Sequence, residues 1–199
     1  QQISPEAYEL FIKAKYLSTT SKSKVDRAIV QDLYRKAIKL DRNYIEPRYY
    51  YAFELMNAHE FERAIDILDD ALIIAKKNKD GSGIAGIKNG YGIMYKNWGR
   101  YEQAIKYFEG ALQIRVKEKN LQEEAKVLNG LAQCHVQVGN NDVSFDYYNR
   151  SLEIRRKIDD KSGLAAILSN MSLNYRRIAD YAKAMQYSKE AIELFEELD

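Results

Sequence analysis

The sequence predicts an all-helical solenoid of five antiparallel helix pairs, and two observations lead to this fold class. Small or apolar residues recur every 40 positions, and a fixed period of this size is typical of solenoids. One such column consists of Ala64, Ala104, Ser144 and Ala184. The second observation is that 199 residues include only two prolines, so little interrupts the backbone hydrogen bonds of long helices.

Each repeat is predicted to contain two helices separated by a tight break. Tyr91, Tyr95 and Trp98 follow helical spacing, Gly99 interrupts it, and the spacing resumes at Tyr101. A glycine at this point allows the left-handed backbone of a helix end. In the other repeats this column holds His59, Gly139 and Ala179. We therefore predict one domain over residues 1–199 with repeats at about 4–40, 44–77, 81–118, 121–158 and 161–197.

The segments between repeats carry short polar residues that suit the start of a helix. Asp80, Asn120 and Asp160 lie one period apart, each just before a predicted first helix. A side-chain oxygen at this position accepts a hydrogen bond from a backbone N–H of the first turn. These residues are therefore predicted to be N-caps.

The fourth repeat departs from the pattern of its neighbours. Serine replaces both column alanines, at Ser144 and Ser151, and His135 occupies a column that holds a tyrosine in the third and fifth repeats. Close helix crossings require small residues, and serine is nearly as small as alanine. We expect His135 to be a neutral, hydrogen-bonded side chain at a partly buried position.

The repeat pattern resembles the tetratricopeptide repeat family. The residues that match the family signature are Tyr91, Gly92, Tyr95, Ala104, Phe108 and Ala111. The 40-residue period is similar to the long repeats of kinesin light chains and polarity adaptors, and the opening, residues 4–44, is similar to repeat regions of bacterial signalling proteins such as cyclases and transcription regulators. The resemblance covers essentially the whole chain and implies a right-handed superhelix.

Composition argues against several other classes of protein. Lys and Arg number 31 against 29 Asp and Glu, a net charge of +2 that is too small for a general nucleic-acid or membrane footprint. No apolar run has the length of a membrane-spanning helix. Cys134 is the single cysteine, so no internal disulfide requires an oxidising compartment, and we expect a cytoplasmic protein. Because the sequence starts at Gln1 rather than methionine, we expect it to be part of a longer protein.

Motifs that resemble catalytic or cofactor sites have simpler interpretations. The segment 81–86 spells a dinucleotide-binding fingerprint, but that motif requires a preceding strand, and the residues before it have helical spacing. His59, His135 and Cys134 are not spaced as metal ligands. We therefore predict no cofactor, no metal and no catalytic residue, and the protein is not expected to be an enzyme.

The resemblance implies a protein-interaction module whose first helices line a concave groove. The residues implied to contact a ligand are Tyr49, Phe53, Asn89, Lys96, Asn97, Asn129, Gln133, Gln137, Arg176 and Arg177. Asn and Gln carry both a donor and an acceptor, so they can bind an extended peptide backbone of any sequence. The basic members favour an acidic partner. The family's clamp for chaperone tails needs a lysine in the column of Asn89, so that ligand is disfavoured.

Two alternatives remain open at the level of sequence. The polar columns could be a solvated face, or their amides could bridge neighbouring helices. The chain could also be an intramolecular regulatory or oligomerisation segment of a larger bacterial signalling protein. Phe195 and Leu198 lie on a face of the last helix that no later repeat in this sequence covers. We expect that face to be covered either by further chain of a longer protein or by a second copy of this chain.

Overall fold

The computed structural model describes residues 3–20 and 24–198, and every regular element among them is an α-helix. The helices are α1 (Pro5–Thr20), α2 (Lys24–Leu40), α3 (Glu46–Asn57), α4 (Phe61–Lys77), α5 (Gly81–Asn97), α6 (Tyr101–Glu118), α7 (Leu121–Gln137), α8 (Asn141–Lys157), α9 (Lys161–Arg177) and α10 (Tyr181–Glu196). Two helices fall within each predicted repeat range, so the all-helical fold class is confirmed. Gln1 lies outside the described residues.

The helices group into two compact units, Gln1–Trp98 and Gly99–Asp199, called unit 1 and unit 2. Unit 1 contains α1 to α5, and unit 2 contains α6 to α10. Within each unit consecutive helices pack on one another, and first helices of successive repeats also touch, α3 with α5 and α7 with α9. A single domain over residues 1–199 stays a prediction.

The polar residues between repeats form the predicted N-caps. Asp80 accepts a hydrogen bond from Gly83 N at 2.8 Å, and Asp160 accepts one from Gly163 N at the same distance. Asn120 accepts from Glu123 N at 3.2 Å. These bonds satisfy amides that have no partner within the helix. The glycines at 81–86 thus belong to a helix start that follows α4, and no strand precedes them.

The break column adopts the left-handed backbone that the sequence predicts. The φ angle is 77° at Gly99 and 84° at Gly139, and it remains positive at His59 and Ala179, with values of 61° and 62°. Each residue ends the first helix of a repeat and reverses the chain into the second. The position therefore demands the conformation even where the sequence offers no glycine.

Unit 1 has an aromatic core at its first repeat junction. Phe11 of α1 lies with its ring centroid 5.4 Å from that of Tyr44 and 5.5 Å from that of Tyr50. Tyr34 of α2 stacks on Tyr50 at 6.3 Å. The large side chain of a second helix therefore packs against the first helix of the next repeat, which buries Tyr34 completely.

Small residues lie at the helix junctions of unit 2. A Cβ atom at Gly130 of α7 would lie 2.7 Å from Cζ of Phe108 in α6, so glycine lets the two helices approach. Ala104, Ala111 and Ser144 are fully buried in the same layers. Among the described residues, no helix is both long and apolar enough to cross a membrane.

Candidate peptide-binding face

The ten residues predicted to bind a ligand lie on the first helices α3, α5, α7 and α9, and all are partly or fully exposed. Two residues that share their columns behave differently. Met56 and Val136 are buried, so the column they share with Lys96 and Arg176 alternates between core and surface. Residues of this face occur in both units.

In unit 1 the part of the face that lies next to α5 carries aromatic side chains. The rings of Tyr49 and Phe53, one helical turn apart on α3, have centroids 4.9 Å apart. Tyr49 rests on Gly90 of α5, where an added Cβ would come within 2.9 Å of its ring. Glycine at position 90 thus leaves room for the Tyr49 ring of α3 against α5.

The polar end of the unit 1 face lies at the carboxyl end of α5. Asn97 is exposed, and its Nδ2 donates to Sδ of Met56 at 3.4 Å. Lys96 and Asn89 are half-exposed on the same helix. Unit 1 therefore offers an apolar patch flanked by amides and one ammonium group.

In unit 2 three amide side chains form a row across α7 and α9, which we call the amide row: Asn129, Gln133 and Asn170. Oδ1 of Asn129 accepts from Nδ2 of Asn170 at 3.0 Å and from Nε2 of Gln133 at 3.4 Å. All three remain half-exposed. Asn129 therefore also bridges two helices, as the alternative interpretation of these columns anticipates.

One predicted ligand contact is tied to the fold. Nη1 of Arg177 donates to the carbonyl oxygen of Val136 at 3.0 Å, at the end of α7. This bond satisfies a carbonyl of the last turn, so part of the guanidinium serves helix packing. Arg176 is exposed and Gln137 lies in the last turn of α7, also exposed.

Sequence reasoning missed one member of the unit 2 face, Asn170. Asn170 occupies the column of Gly90 and Gly130, and the replacement of glycine by an amide was the available signal. Leu173, one turn further along α9, is 50% exposed although the equivalent Phe53 is half-buried. An apolar side chain beside an amide row suits a peptide with alternating contacts.

His135 and Cys134 are neighbours on α7, where His135 is partly buried and Cys134 is buried. Burial lowers the pKa of His135, an effect that the Glu109 carboxylate partly opposes, and its ring stacks on Tyr147 with centroids 5.5 Å apart. The expected hydrogen bond is absent at Nδ1, which is buried without a partner in the described structure. Cys134 is buried. In residues 3–20 and 24–198 no group of three or more His, Cys, Asp or Glu is placed to hold a metal.

Three solved structures with similar folds are 14–19% identical to this chain in sequence. A signal transduction ATPase with numerous domains that has a tetratricopeptide repeat sensor, from Pyrococcus horikoshii, aligns with a TM-score of 0.83 at 19% identity, over 95% of this chain and 29% of that one. BtubC from P. vanneervenii aligns at 0.74 and 19%, over 98% and 76%. Aspartyl phosphate phosphatase F from Bacillus subtilis aligns at 0.72 and 14%, over 98% and 61%.

A comparison with curated protein sequences gave no match. A family model described as Tetratricopeptide repeat matches residues 83–157 and again residues 123–197, which together span more than half of the chain. The second match lies one 40-residue period after the first, as the column spacing requires. With stacked helix pairs, left-handed breaks and small-residue crossings in place, the chain belongs to the tetratricopeptide repeat family.

Proposed function

We propose that the chain binds an extended segment of a partner protein along the exposed faces of its first helices. The repeat fold is that of a protein-interaction module in general, and such modules are generally not enzymes. The proposal adds the binding face and the form of the ligand. A cytoplasmic scaffold or adaptor, acting in signalling, is the role that we propose with it.

The amide row is the observation that carries this proposal. Oδ1 of Asn129 is occupied by two hydrogen bonds, whereas its Nδ2 donates none among the described residues. The bond from Asn170 holds this amide in one orientation, so less side-chain entropy is lost when a peptide carbonyl binds. Gln133 and Gln137 extend the same chemistry along α7.

Charge favours an acidic segment as the ligand. Lys96, Arg176 and Arg177 all lie near the carboxyl ends of first helices, where Lys96 is partly buried and both arginines are exposed. Guanidinium and ammonium groups form charge-assisted hydrogen bonds with carboxylates. A segment with Asp or Glu spaced along an extended backbone therefore suits the face better than a basic one.

The experiment starts from a displayed library of random peptides selected on the chain, with affinities measured by fluorescence polarisation. The test variant replaces Asn129, Gln133 and Gln137 by alanine. Each lost hydrogen bond costs about 0.5–1.5 kcal/mol, so the triple variant should bind at least about tenfold more weakly. A thermal melt of the variant checks that the helices remain folded.

The matched control variant instead replaces three amide side chains of the second helices. Gln103 and Gln113 of α6 and Asn149 of α8 are exposed, and their replacement by alanine should leave the affinity unchanged. Equal weakening in both triple variants, or none in either, would place the binding site elsewhere.

A second candidate function is self-association through α10, which one specific observation favours. Met185 is 74% exposed and Ile192 is 53% exposed, although their counterparts one period earlier are packed. Leu152 is buried, and Phe145 stacks on Tyr175 of α9 with centroids 4.3 Å apart. The predicted exposure of Phe195 and Leu198 is confirmed, at 46% and 48%. A second copy of the chain is the proposed cover, in an oligomerisation or regulatory role.

Sedimentation over a wide concentration range tests this candidate. Replacing Met185 and Ile192 by glutamate should abolish any dimer, because charge would enter the apolar contact. Ile73 on α4 is an exposed, isolated control, and Ile73→Glu should leave the association unchanged. A monomer at every concentration would eliminate self-association.

A further inference from the structure

Two neighbouring side chains of α9 in unit 2 remain accessible to solvent. Leu173 is 50% exposed, and Arg176 is exposed one turn further along the helix. Residues three apart on a helix are neighbours on its surface, with Cβ atoms about 5–6 Å apart. Leu173 and Arg176 therefore form one surface, apolar at one end and cationic at the other, which we call the α9 patch.

The polar side chains on either side of the α9 patch reach α7, whereas Arg176 does not. Nδ2 of Asn170 donates to Asn129 at 3.0 Å, and Nη1 of Arg177 donates to the carbonyl oxygen of Val136 at the same distance. In the part of the chain that the structure describes, the Arg176 side chain forms no hydrogen bond and no ion pair. Its guanidinium is therefore available to a ligand.

The carboxylate closest to Arg176 in sequence is engaged elsewhere. α9 itself carries no Asp or Glu, and the first carboxylate after it belongs to Asp180. Asp180 caps α10, where its Oδ1 accepts from Lys183 N at 3.1 Å. Its Oδ2 pairs with Nζ of Lys183 at 3.4 Å. Asp180 therefore serves the start of α10 and leaves the charge of Arg176 uncompensated.

The acidic residues of the adjacent helices lie away from the α9 patch. Glu123 and Glu124 occupy the first turn of α7. The acidic residues of α10 all follow its midpoint, and Glu197 just after the helix pairs with Lys161 in the first turn of α9. Arg176 lies in the last turn of α9, so the charge around the α9 patch is positive.

The spacing within the α9 patch determines what an extended segment needs in order to occupy it. Side chains two positions apart in an extended chain point to the same side and lie about 6–7 Å from each other. This separation is close to that of Leu173 and Arg176, and the long arginine side chain covers the difference. An apolar side chain gains by covering Leu173, and a carboxylate matches the fork of the guanidinium.

We infer that the α9 patch recognises, in an extended partner segment, a large apolar residue two positions away from Asp or Glu. The apolar side chain packs on Leu173, and the carboxylate accepts hydrogen bonds from the guanidinium of Arg176. This inference rests on the function proposed above and adds to it the sequence class of the ligand.

The probe is a displayed library of random heptapeptides, selected in parallel on the full chain and on three variants. The wild type should enrich peptides with an apolar residue two positions from an acidic one. Arg176→Glu should enrich Lys or Arg in place of the acidic residue, because the charge at that end is reversed. Leu173→Ser should keep the acidic preference and lose the apolar one. Lys157→Glu, at an exposed position of α8, is the control and should enrich the wild-type pair.

A second measurement tests the charged contact directly. The peptide most enriched on the wild type is synthesised twice, once as selected and once with Gln or Asn in place of its acidic residue, and both are titrated by fluorescence polarisation. The replacement should weaken binding to the wild type at least about tenfold, as expected for the loss of a charged hydrogen bond. On Arg176→Gln the two peptides should bind alike, since the guanidinium is gone. An equal loss on both proteins would overturn the contact with Arg176.

The outcomes separate this inference from the proposed function. Selected peptides whose binding requires the amides of α7, but which lack the apolar and acidic pair or keep it on Arg176→Glu, would overturn the inference alone. A selection that enriches no peptide on the wild type would overturn both. Leu173 and Arg176 are exposed, so their variants should fold, and thermal melts verify it. Should Leu173→Ser not fold, the two arginine variants still decide the question.

Discussion

Helices α6 and α8 occupy the same place in consecutive repeats, yet they fill their buried columns differently. α6 uses Ala104 and Ala111, whereas α8 uses Ser144 and Ser151, and all four side chains are fully buried. The serines remain tolerable because their hydroxyls have partners. Oγ of Ser151 donates to the carbonyl oxygen of Ala125 at 2.8 Å.

Asn174 provides the other partner, and its presence explains a second departure in the sequence. Nδ2 of Asn174 in α9 donates to Oγ of Ser144 at 3.4 Å. The same column holds Met94 and Cys134 in the two preceding repeats. The comparison teaches that close helix crossings fix the volume of a residue, while its polarity can change when a neighbour changes with it.

The largest expected loss of stability comes from placing a large side chain in the columns where α6 and α8 both carry small residues. Ala104→Leu should lower the free energy of unfolding by about 1–3 kcal/mol through overpacking. Ser144→Leu should cost about 2–5 kcal/mol, because it also leaves the buried amide of Asn174 without its partner. Urea denaturation measures both. Ala166→Leu on the exposed face of α9 is the control, and an equal effect there would show that the columns are not close contacts.

The next test replaces the hydrogen-bonded pair between α8 and α9, Ser144 and Asn174, with the apolar residues that other repeats carry at these positions. Asn174→Met alone should cost about 1–3 kcal/mol, because the Ser144 hydroxyl loses its donor. The double variant with Ser144→Ala should recover to within about 1 kcal/mol of the wild type, since neither partner remains to be satisfied. Simple additivity of the two single variants would mean that the pair is not coupled.

A smaller effect is expected where only one hydrogen bond is removed. Ser151→Ala keeps the volume and loses the bond to Ala125, so it should destabilise the fold by about 0.5–1.5 kcal/mol. Ser162→Ala, on the exposed first turn of α9, should stay within about 0.5 kcal/mol of the wild type. Indistinguishable urea midpoints for these two variants would show that the hydrogen bond of Ser151 does not stabilise the fold.

The smallest expected effect is on the pH dependence of stability. It concerns His135, which occupies in the fourth repeat the position that Tyr95 occupies in the third. Because burial holds the pKa of His135 below its ordinary value of 6.5, the unfolded chain takes up the proton first as the pH falls below that value. Stability should therefore decline with falling pH in this range. His135→Tyr, the residue of the third and fifth repeats, should flatten the decline measured by thermal melts at several pH values. An identical decline in both proteins would assign it to other groups.

Much of the fold could be predicted from the residues alone. The 40-residue columns gave the repeat ranges, and Asp80, Asn120 and Asp160 were predicted as N-caps from their local spacing. These features are readable because each depends on contacts within one helix or turn, or on a size requirement that recurs in every repeat.

The candidate site was predicted less completely, because its residues act through partners on another helix. Spacing predicted exposed amides at Asn129 and Gln133, but it did not predict that Asn170 would bind one of them. Nor did it predict that Arg177 reaches the carbonyl of Val136. In each case the partner lies about one repeat away in sequence, so periodicity alone does not identify it.

The sequence by itself therefore determined the repeat and the size of the residues at each crossing. Tertiary structure decided which polar groups find hydrogen-bond partners on another helix. Glu54 illustrates the division: its column is visible in the sequence, whereas its burial and the hydrogen bond that Oγ of Ser18 donates to it depend on how the helices meet. The physical reason is that size constraints repeat with the backbone, while hydrogen bonding depends on individual pairs of side chains.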